Sequence, residues 1–273
     1  MKALEVCNLT KAYPSFTLDS VSFGVEEGRI VGLVGANGAG KSTTLKGILG
    51  LIQAEGEAKV FALDSKSAEA KQLYGYAGGG FRQYPHKRLK EIARVVQNFY
   101  PKWNNGAFEH YCAKFELKLE KKVSELSEGM KVKFALALAL SHGAKLLILD
   151  EPTSGLDPLA REAFLDTLLE LIKEEGVSIL FSTHIVSDLE RAADDIVLLS
   201  KGRVLVNEPL ISLQNKYSLA FFEAPPKEGV IGLKPVKKGY EGLVLRTEQF
   251  EGANLREPTL EEIIIHLERR ETV

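Results

Sequence analysis

Gly35-Ala36-Asn37-Gly38-Ala39-Gly40-Lys41-Ser42 is the stretch from which the rest of the chain is read. Its spacing, G-x-x-x-x-G-K-[ST], is that of a loop whose backbone cradles nucleotide phosphates. The glycines let the backbone take conformations closed to other residues, so successive N–H groups converge on anionic oxygens. In such a loop Lys41 reaches the terminal phosphates, and the Ser42 hydroxyl ligates magnesium. The flanks agree. Ile30-Val31-Gly32-Leu33-Val34 reads as a buried strand running into the loop. Ser42 to Leu49 reads as a helix that aims its N-terminal dipole at the phosphates.

The chain has 273 residues, enough for one large or two small domains around a substantial core. A formal net charge of −2 leaves no basic footprint, which argues against nucleic acid as a partner. Cys7 and Cys112 are far apart in sequence and suggest neither a disulfide framework nor a metal site. Both are expected to be buried thiols in a reducing compartment. No signal-peptide pattern follows Met1-Lys2. No stretch approaches the ~18 apolar residues of a membrane span; the longest candidate, Phe134 to Leu140, reads as a buried helix. A soluble, cytoplasmic protein is expected, which still allows docking onto a membrane protein.

Leu4 to Val25 alternates short β-type runs with turns and reads as antiparallel sheet, and residues 54–64 as further short strands. Leu89 to Lys122 is helical and charged, broken at Pro101. From Lys145 an α/β rhythm returns: an apolar run at Leu146–Leu149, a helix over Arg161–Glu175, a strand over Val177–Ser182 and a hairpin around Lys201-Gly202. Pro and Gly punctuate the chain after Leu219, and a last helix runs from Leu260 to Arg269.

Leu146-Leu147-Ile148-Leu149-Asp150-Glu151 ends a buried strand in two acids. In phosphate-loop ATPases an acid at this strand end supports magnesium, a role that Asp150 fits. Glu151 then stands where it can orient or deprotonate a water attacking the γ-phosphate.

With these residues in place, the sequence resembles the nucleotide-binding subunit of an ATP-binding cassette (ABC) protein over roughly residues 1–215. Leu126-Ser127-Glu128-Gly129-Met130 resembles the family signature LSGGQ, Ser154-Gly155-Leu156-Asp157 the D-loop, and His184 the switch histidine. Tyr13 matches the aromatic that stacks on adenine. The resemblance implies an α/β fold: a phosphate-loop NTPase core of mostly parallel sheet, with an antiparallel β subdomain and a helical insertion at about 82–140. A small C-terminal α+β extension over 217–273 would follow the 1–216 nucleotide-binding domain.

It further implies ATP and Mg2+ as ligands, with Ser42 and Asp150 at the metal and Lys41, Glu151 and His184 in catalysis. Gly35, Asn37, Gly38, Gly40 and Thr43 would join Lys41 and Ser42 around the nucleotide. Two subunits would face each other head to tail as a homodimer or heterodimer. Ser127 and Gly129 would then contact the γ-phosphate held by the partner, and Asp157 would be a further nucleotide-binding residue. The implied function is ATP hydrolysis that drives an integral membrane transporter subunit, with this chain peripheral on the inner face of the membrane. A soluble ABC ATPase in a role such as cofactor assembly is the alternative.

Two departures stand out. Glu128 and Met130 replace the signature's Gly and Gln. By alignment with the family's usual "GYVPQ", Gly79 takes the place of a glutamine, and Gln83 is the candidate substitute. Phe99-Tyr100-Pro101-Lys102-Trp103, together with Gly129 to Phe134, resembles bacterial exporter ATPases of the antibiotic-responsive type. Phe99, Tyr100 and Trp103 read either as packing within the helical region or as a surface for a membrane partner.

Overall fold

The computed structural model describes residues 1–78, 84–226, 228–247 and 253–270. Its centre is a six-stranded sheet ordered β10-β9-β3-β8-β7-β6. The strands are β3 (Ile30–Val34), β6 (Tyr74–Gly78), β7 (Leu146–Asp150), β8 (Ser178–Thr183), β9 (Asp195–Ser200) and β10 (Arg203–Pro209). All neighbours are parallel except the β9–β10 hairpin at one edge. The continuous apolar runs in sequence have a direct cause: these strands are covered on both faces. Ile30 and Val34 of β3, Leu147 and Leu149 of β7, and Ile196 and Leu198 of β9 feed one core. The alternating residues Val31, Leu33, Leu146, Ile148, Val197 and Leu199 feed the other.

The second core is closed by an antiparallel sheet and a helix. The sheet has order β2-β1-β4-β5, from β1 (Lys2–Tyr13), β2 (Phe16–Glu26), β4 (Glu55–Val60) and β5 (Leu63–Asp64). Helix α1 (Lys41–Ile48) adds Leu45 and Ile48. Cys7 corrects the sequence expectation. Leu4 and Val6 point inward, so strand alternation turns Cys7 outward, where it is exposed; Cys112 is buried as expected.

After the short helix α2 (Ala68–Lys71), the first core receives the helical region: α3 (Leu89–Val96), α4 (Asn105–Lys114) and α5 (Glu128–Ser141). It is completed by α6 (Pro158–Glu175) and α7 (Val186–Ala192). The chain continues through α8 (Leu210–Lys216) into a third sheet, β12-β13-β11-β14, built from β11 (Tyr217–Phe222), β12 (Ile231–Val236), β13 (Gly239–Leu245) and β14 (Asn254–Arg256). Tyr217, Leu219 and Leu243 of that sheet, and Leu260, Ile263 and Leu267 of α9 (Leu260–Arg270), pack into the first core. Ala220, Phe222 and Val244 form a small cluster of their own. Among the described residues no helix is long and apolar enough to cross a membrane.

Candidate functional site

Parallel strands align their C-terminal ends, and in open α/β sheets that edge is where ligands bind. Here β3 runs into the phosphate loop, β7 ends in Asp150, and β8 ends one residue before His184. The register puts Val34 beside Thr183 and Asp150 beside Ser182. Chain stretches more than a hundred residues apart in sequence are thereby brought to one rim.

A cavity of about 720 Å3 opens there. Asn37, Gly38, Gly40, Lys41, Ser42 and Thr43 line one side, with Glu151, Ser154 and His184 opposite. Helix α1 starts at this wall with no side-chain cap, so its first-turn N–H groups face the cavity without an intrahelical partner. Gly40 makes the entry possible: its φ is 114°, and a Cβ would meet Phe16 and Leu18 side-chain atoms at 3.0 Å. This is a backbone cradle suited to anionic oxygens.

Charged side chains converge in the same place. Lys41 is buried, and its Nζ donates to the Gly35 carbonyl at 2.7 Å and to the Ala36 carbonyl at 3.4 Å. It lies 3.4 Å from Glu151 Oε1, while Glu151 Oε2 pairs with His184 Nδ1 at 2.7 Å. Glu151 thus bridges a lysine and an imidazole through its two oxygens. Its backbone sits at φ 51°, a left-handed conformation that costs a residue with a Cβ about 1 kcal/mol or more. The surroundings enforce it: the Glu151 N–H donates to the Ser182 carbonyl and to Ser182 Oγ, each at 3.1 Å.

Ser182 is the residue that sequence reading missed. Its hydroxyl donates to Asp150 Oδ1 at 2.6 Å while accepting from Glu151 N–H, so one side chain fixes both acids. The signal available was modest: a hydroxyl closing an apolar run that forms the strand beside Leu146–Asp150. A second brace lies below. Thr153 Oγ1 donates to Asp188 Oδ2 at 2.6 Å, and burial pushes the Asp188 carboxyl above its ordinary range. This ties the loop after β7 to α7.

The donor set suits magnesium. Ser42 Oγ donates to Asp150 Oδ1 at 3.2 Å, which places two hard oxygens side by side. Among the described residues no group of three or more His, Cys, Asp or Glu could cage a metal. Mg2+ needs no such cage, since it commonly takes one or two protein oxygens with phosphate and water.

Other expected residues lie elsewhere. Tyr13 pairs across the hairpin with Phe16, is exposed, and carries the Lys11 ammonium 5.5 Å from its ring centroid. Ser15 and Phe16, not Tyr13, line the cavity. Gly79 and Gln83 lie outside the described residues. Ser127, Gly129 and Asp157 line a separate cavity of about 260 Å3. There Ser127 caps α5 by accepting from Met130 N–H at 3.3 Å, and Asp157 caps α6 by accepting from Ala160 N–H at 3.0 Å. A Cβ on Gly129 would meet Leu156 Cδ2 at 2.9 Å, so the small residue lets the two caps approach.

The family model described as ABC transporter matches residues 18–154. The chain is 32% identical over 216 residues to an uncharacterized ABC transporter ATP-binding protein, YdbJ, of Bacillus subtilis (strain 168), covering 77% of this chain and 70% of the relative. It is 32% identical over 246 residues to the bacitracin transport ATP-binding protein BcrA of Enterococcus faecalis, covering 87% of this chain and 79% of the relative. Among solved structures, the ATP-binding subunit of an ABC transporter superposes with a TM-score of 0.68 at 32% identity, covering 78% of this chain and 92% of that one.

Proposed function

The chain belongs to the ABC transporter family, and from that premise we propose that it binds and hydrolyses ATP to power a separate membrane-spanning subunit, an exporter. The observation that carries this reading is the convergence of Lys41, Ser42, Asp150, Glu151 and His184 on one rim. The transport-named relatives favour it over a soluble role in cofactor assembly.

In this reading the loop N–H groups and Lys41 hold the triphosphate. Ser42 and Asp150 would hold a magnesium ion, which would supply positive charge against that developing on the phosphoryl oxygens. Glu151 accepts the proton of the attacking water. His184, 2.7 Å from Glu151, fixes that carboxylate and holds the water in line. Ser182 is a positioning residue that keeps both acids in register. The signature end, with Ser127 and Gly129, receives the γ-phosphate held by a second copy, and Asp157 flanks it. Hydrolysis removes the shared anion and frees the pair, which turns a chemical cycle into a mechanical one.

Affinity purification of the Glu151→Gln chain from detergent-solubilised host cells with ATP tests the reading. A polytopic membrane protein in stoichiometric amount is the expected partner. A soluble partner, or a stable dimer alone, would overturn the transporter assignment. Glu151→Gln should itself bind ATP normally and lower turnover by at least about 100-fold. Normal turnover would remove Glu151 from its role as base.

A further inference from the structure

The signature end carries a charge arrangement that the proposed function leaves unexplained. Glu128 is the first residue of α5, next to the cap Ser127, and lines the smaller cavity with Gly129. An acid in a first helical turn is ordinarily favourable, because it meets the positive end of the dipole. Here the same helix end is the one that has to receive another anion. A carboxylate on its rim opposes a phosphate arriving from a partner. The opposition is offset locally: Lys131 Nζ lies 2.7 Å from Glu128 Oε1. Lys131 is largely withdrawn from solvent, with its side chain 15% exposed, whereas Glu128 remains 46% exposed. Lys133 also lines the cavity.

We propose that the Glu128–Lys131 ion pair sets the ATP threshold at which two copies close, because each member cancels the other's charge at the phosphate-receiving end of α5. This rests on the two-copy reading above. Glu128 alone would repel the partner's γ-phosphate, and Lys131 alone would attract it. Paired, they leave the backbone donors to bind it with little added long-range pull. Closure therefore answers to the presence of the γ-phosphate at close range, and the pair reopens readily once that phosphate has been hydrolysed.

The test is a charge ladder in the full chain carrying Glu151→Gln. The ATP concentration for half-maximal dimerisation is measured by sedimentation for the parent, Glu128→Gln, Lys131→Met and the double substitution. The two positions sum to zero charge in the parent, +1 in Glu128→Gln, −1 in Lys131→Met, and zero in the double variant. Glu128→Gln should lower the ATP requirement on the order of fivefold, and Lys131→Met should raise it by a similar factor, as expected for one charge near a phosphate. The double variant should return to the parent value, and the spread should shrink in high salt.

A purely structural role predicts a different sign. If the pair only stabilises α5, Glu128→Gln would raise the ATP requirement or leave it unchanged, and the double variant would be no better than either single one. That result overturns the proposal while keeping the dimer. If the Glu151→Gln parent forms no ATP-dependent dimer, the two-copy reading fails and this inference falls with it.

Discussion

The two cavities differ in kind. The one on the phosphate loop, about 720 Å3, gathers a lysine, an imidazole, a glutamate and an uncapped helix start, with Asp150 behind Ser42. The one at the start of α5, about 260 Å3, pairs two helix caps with a Glu128–Lys131 ion pair. Among the described residues none lines both. In the proposed function the first would break a phosphoanhydride and the second would recognise an anion without reacting with it. On the proposed reading, a second chain brings the two together.

Mixing two defective chains would break or sharpen this division most strongly. Lys41→Ala removes the phosphate-holding cation of the first cavity, and Ser127→Arg blocks the second. Each alone should lower turnover at least about 100-fold. If the halves act across copies, a mixed pair contains one intact site, made of the phosphate loop of the Ser127→Arg chain and the signature end of the Lys41→Ala chain. Since random pairing makes about half the dimers mixed, an equal mixture should recover about a quarter of the unsubstituted turnover. No recovery would argue that each site is completed within its own chain or that both must fire together.

Within the first cavity, Ser182→Ala comes next in size. It removes the donor to Asp150 and one of the two acceptors of the Glu151 N–H. Turnover should fall about tenfold with ATP affinity nearly unchanged, since the loop that holds the phosphates is untouched. A loss confined to affinity would place Ser182 in binding instead of alignment.

Ser182 also marks how far the sequence could be read. Lys41 was legible from the spacing of the phosphate loop, Asp150 from its place at the end of an apolar run, and His184 from its resemblance to the family's switch histidine. The parallel register that sets Ser182 beside Asp150 is a tertiary fact, so the residue remained one more polar end of a strand. Tyr13 was an expected cavity residue, but the β1–β2 hairpin turns Phe16 to the cavity instead. Cys7 was judged by its chemistry rather than by its phase with Leu4 and Val6. Ser127 and Asp157 line a cavity apart from the phosphate loop. Their shared cavity depends on Leu156 packing over Gly129, which no spacing rule contains.

The helical region that presents α5 should show its own pH signature. His142 follows α5 and stacks on Tyr100, with ring centroids 3.7 Å apart, and burial lowers its pKa to about 4. The unfolded chain takes up this proton near the ordinary value of about 6.5, before the folded chain does. Stability therefore falls as pH drops from about 6.5 to 4, with a contribution of up to about 1.4 kcal/mol per pH unit, and is insensitive to this group above that window. Urea unfolding of the unsubstituted chain and His142→Gln, compared across pH 4 to 7 (about the window set by these two values), should show a difference that changes as pH falls below about 6.5 and is constant towards neutral pH. A difference constant over the whole range would mean that packing, not protonation, is what His142 contributes.

The smallest effect concerns what holds the two regions in their relative orientation. Tyr111 Oη on α4 donates to Glu175 Oε1 at the far end of α6 at 2.6 Å, and Lys114 reaches Glu170 and Glu174 at 3.2 and 3.3 Å. Burial, reinforced by the Glu175 carboxylate, holds the Tyr111 phenol protonated well above its usual range, so it remains a donor throughout physiological pH. Helix α4 packs on α5, which carries Ser127, while α6 begins at Asp157. Tyr111→Phe removes one charge-assisted hydrogen bond and no packing volume, and should cost about 1–2 kcal/mol in urea unfolding. If the latch merely stabilises, ATP-driven dimerisation will be unchanged once the protein is folded. If it also sets how the signature end is presented, the ATP requirement will shift as well. The two measurements on one variant separate stability from presentation, because turning α4 against α6 moves Ser127 relative to Asp157 without touching the phosphate loop.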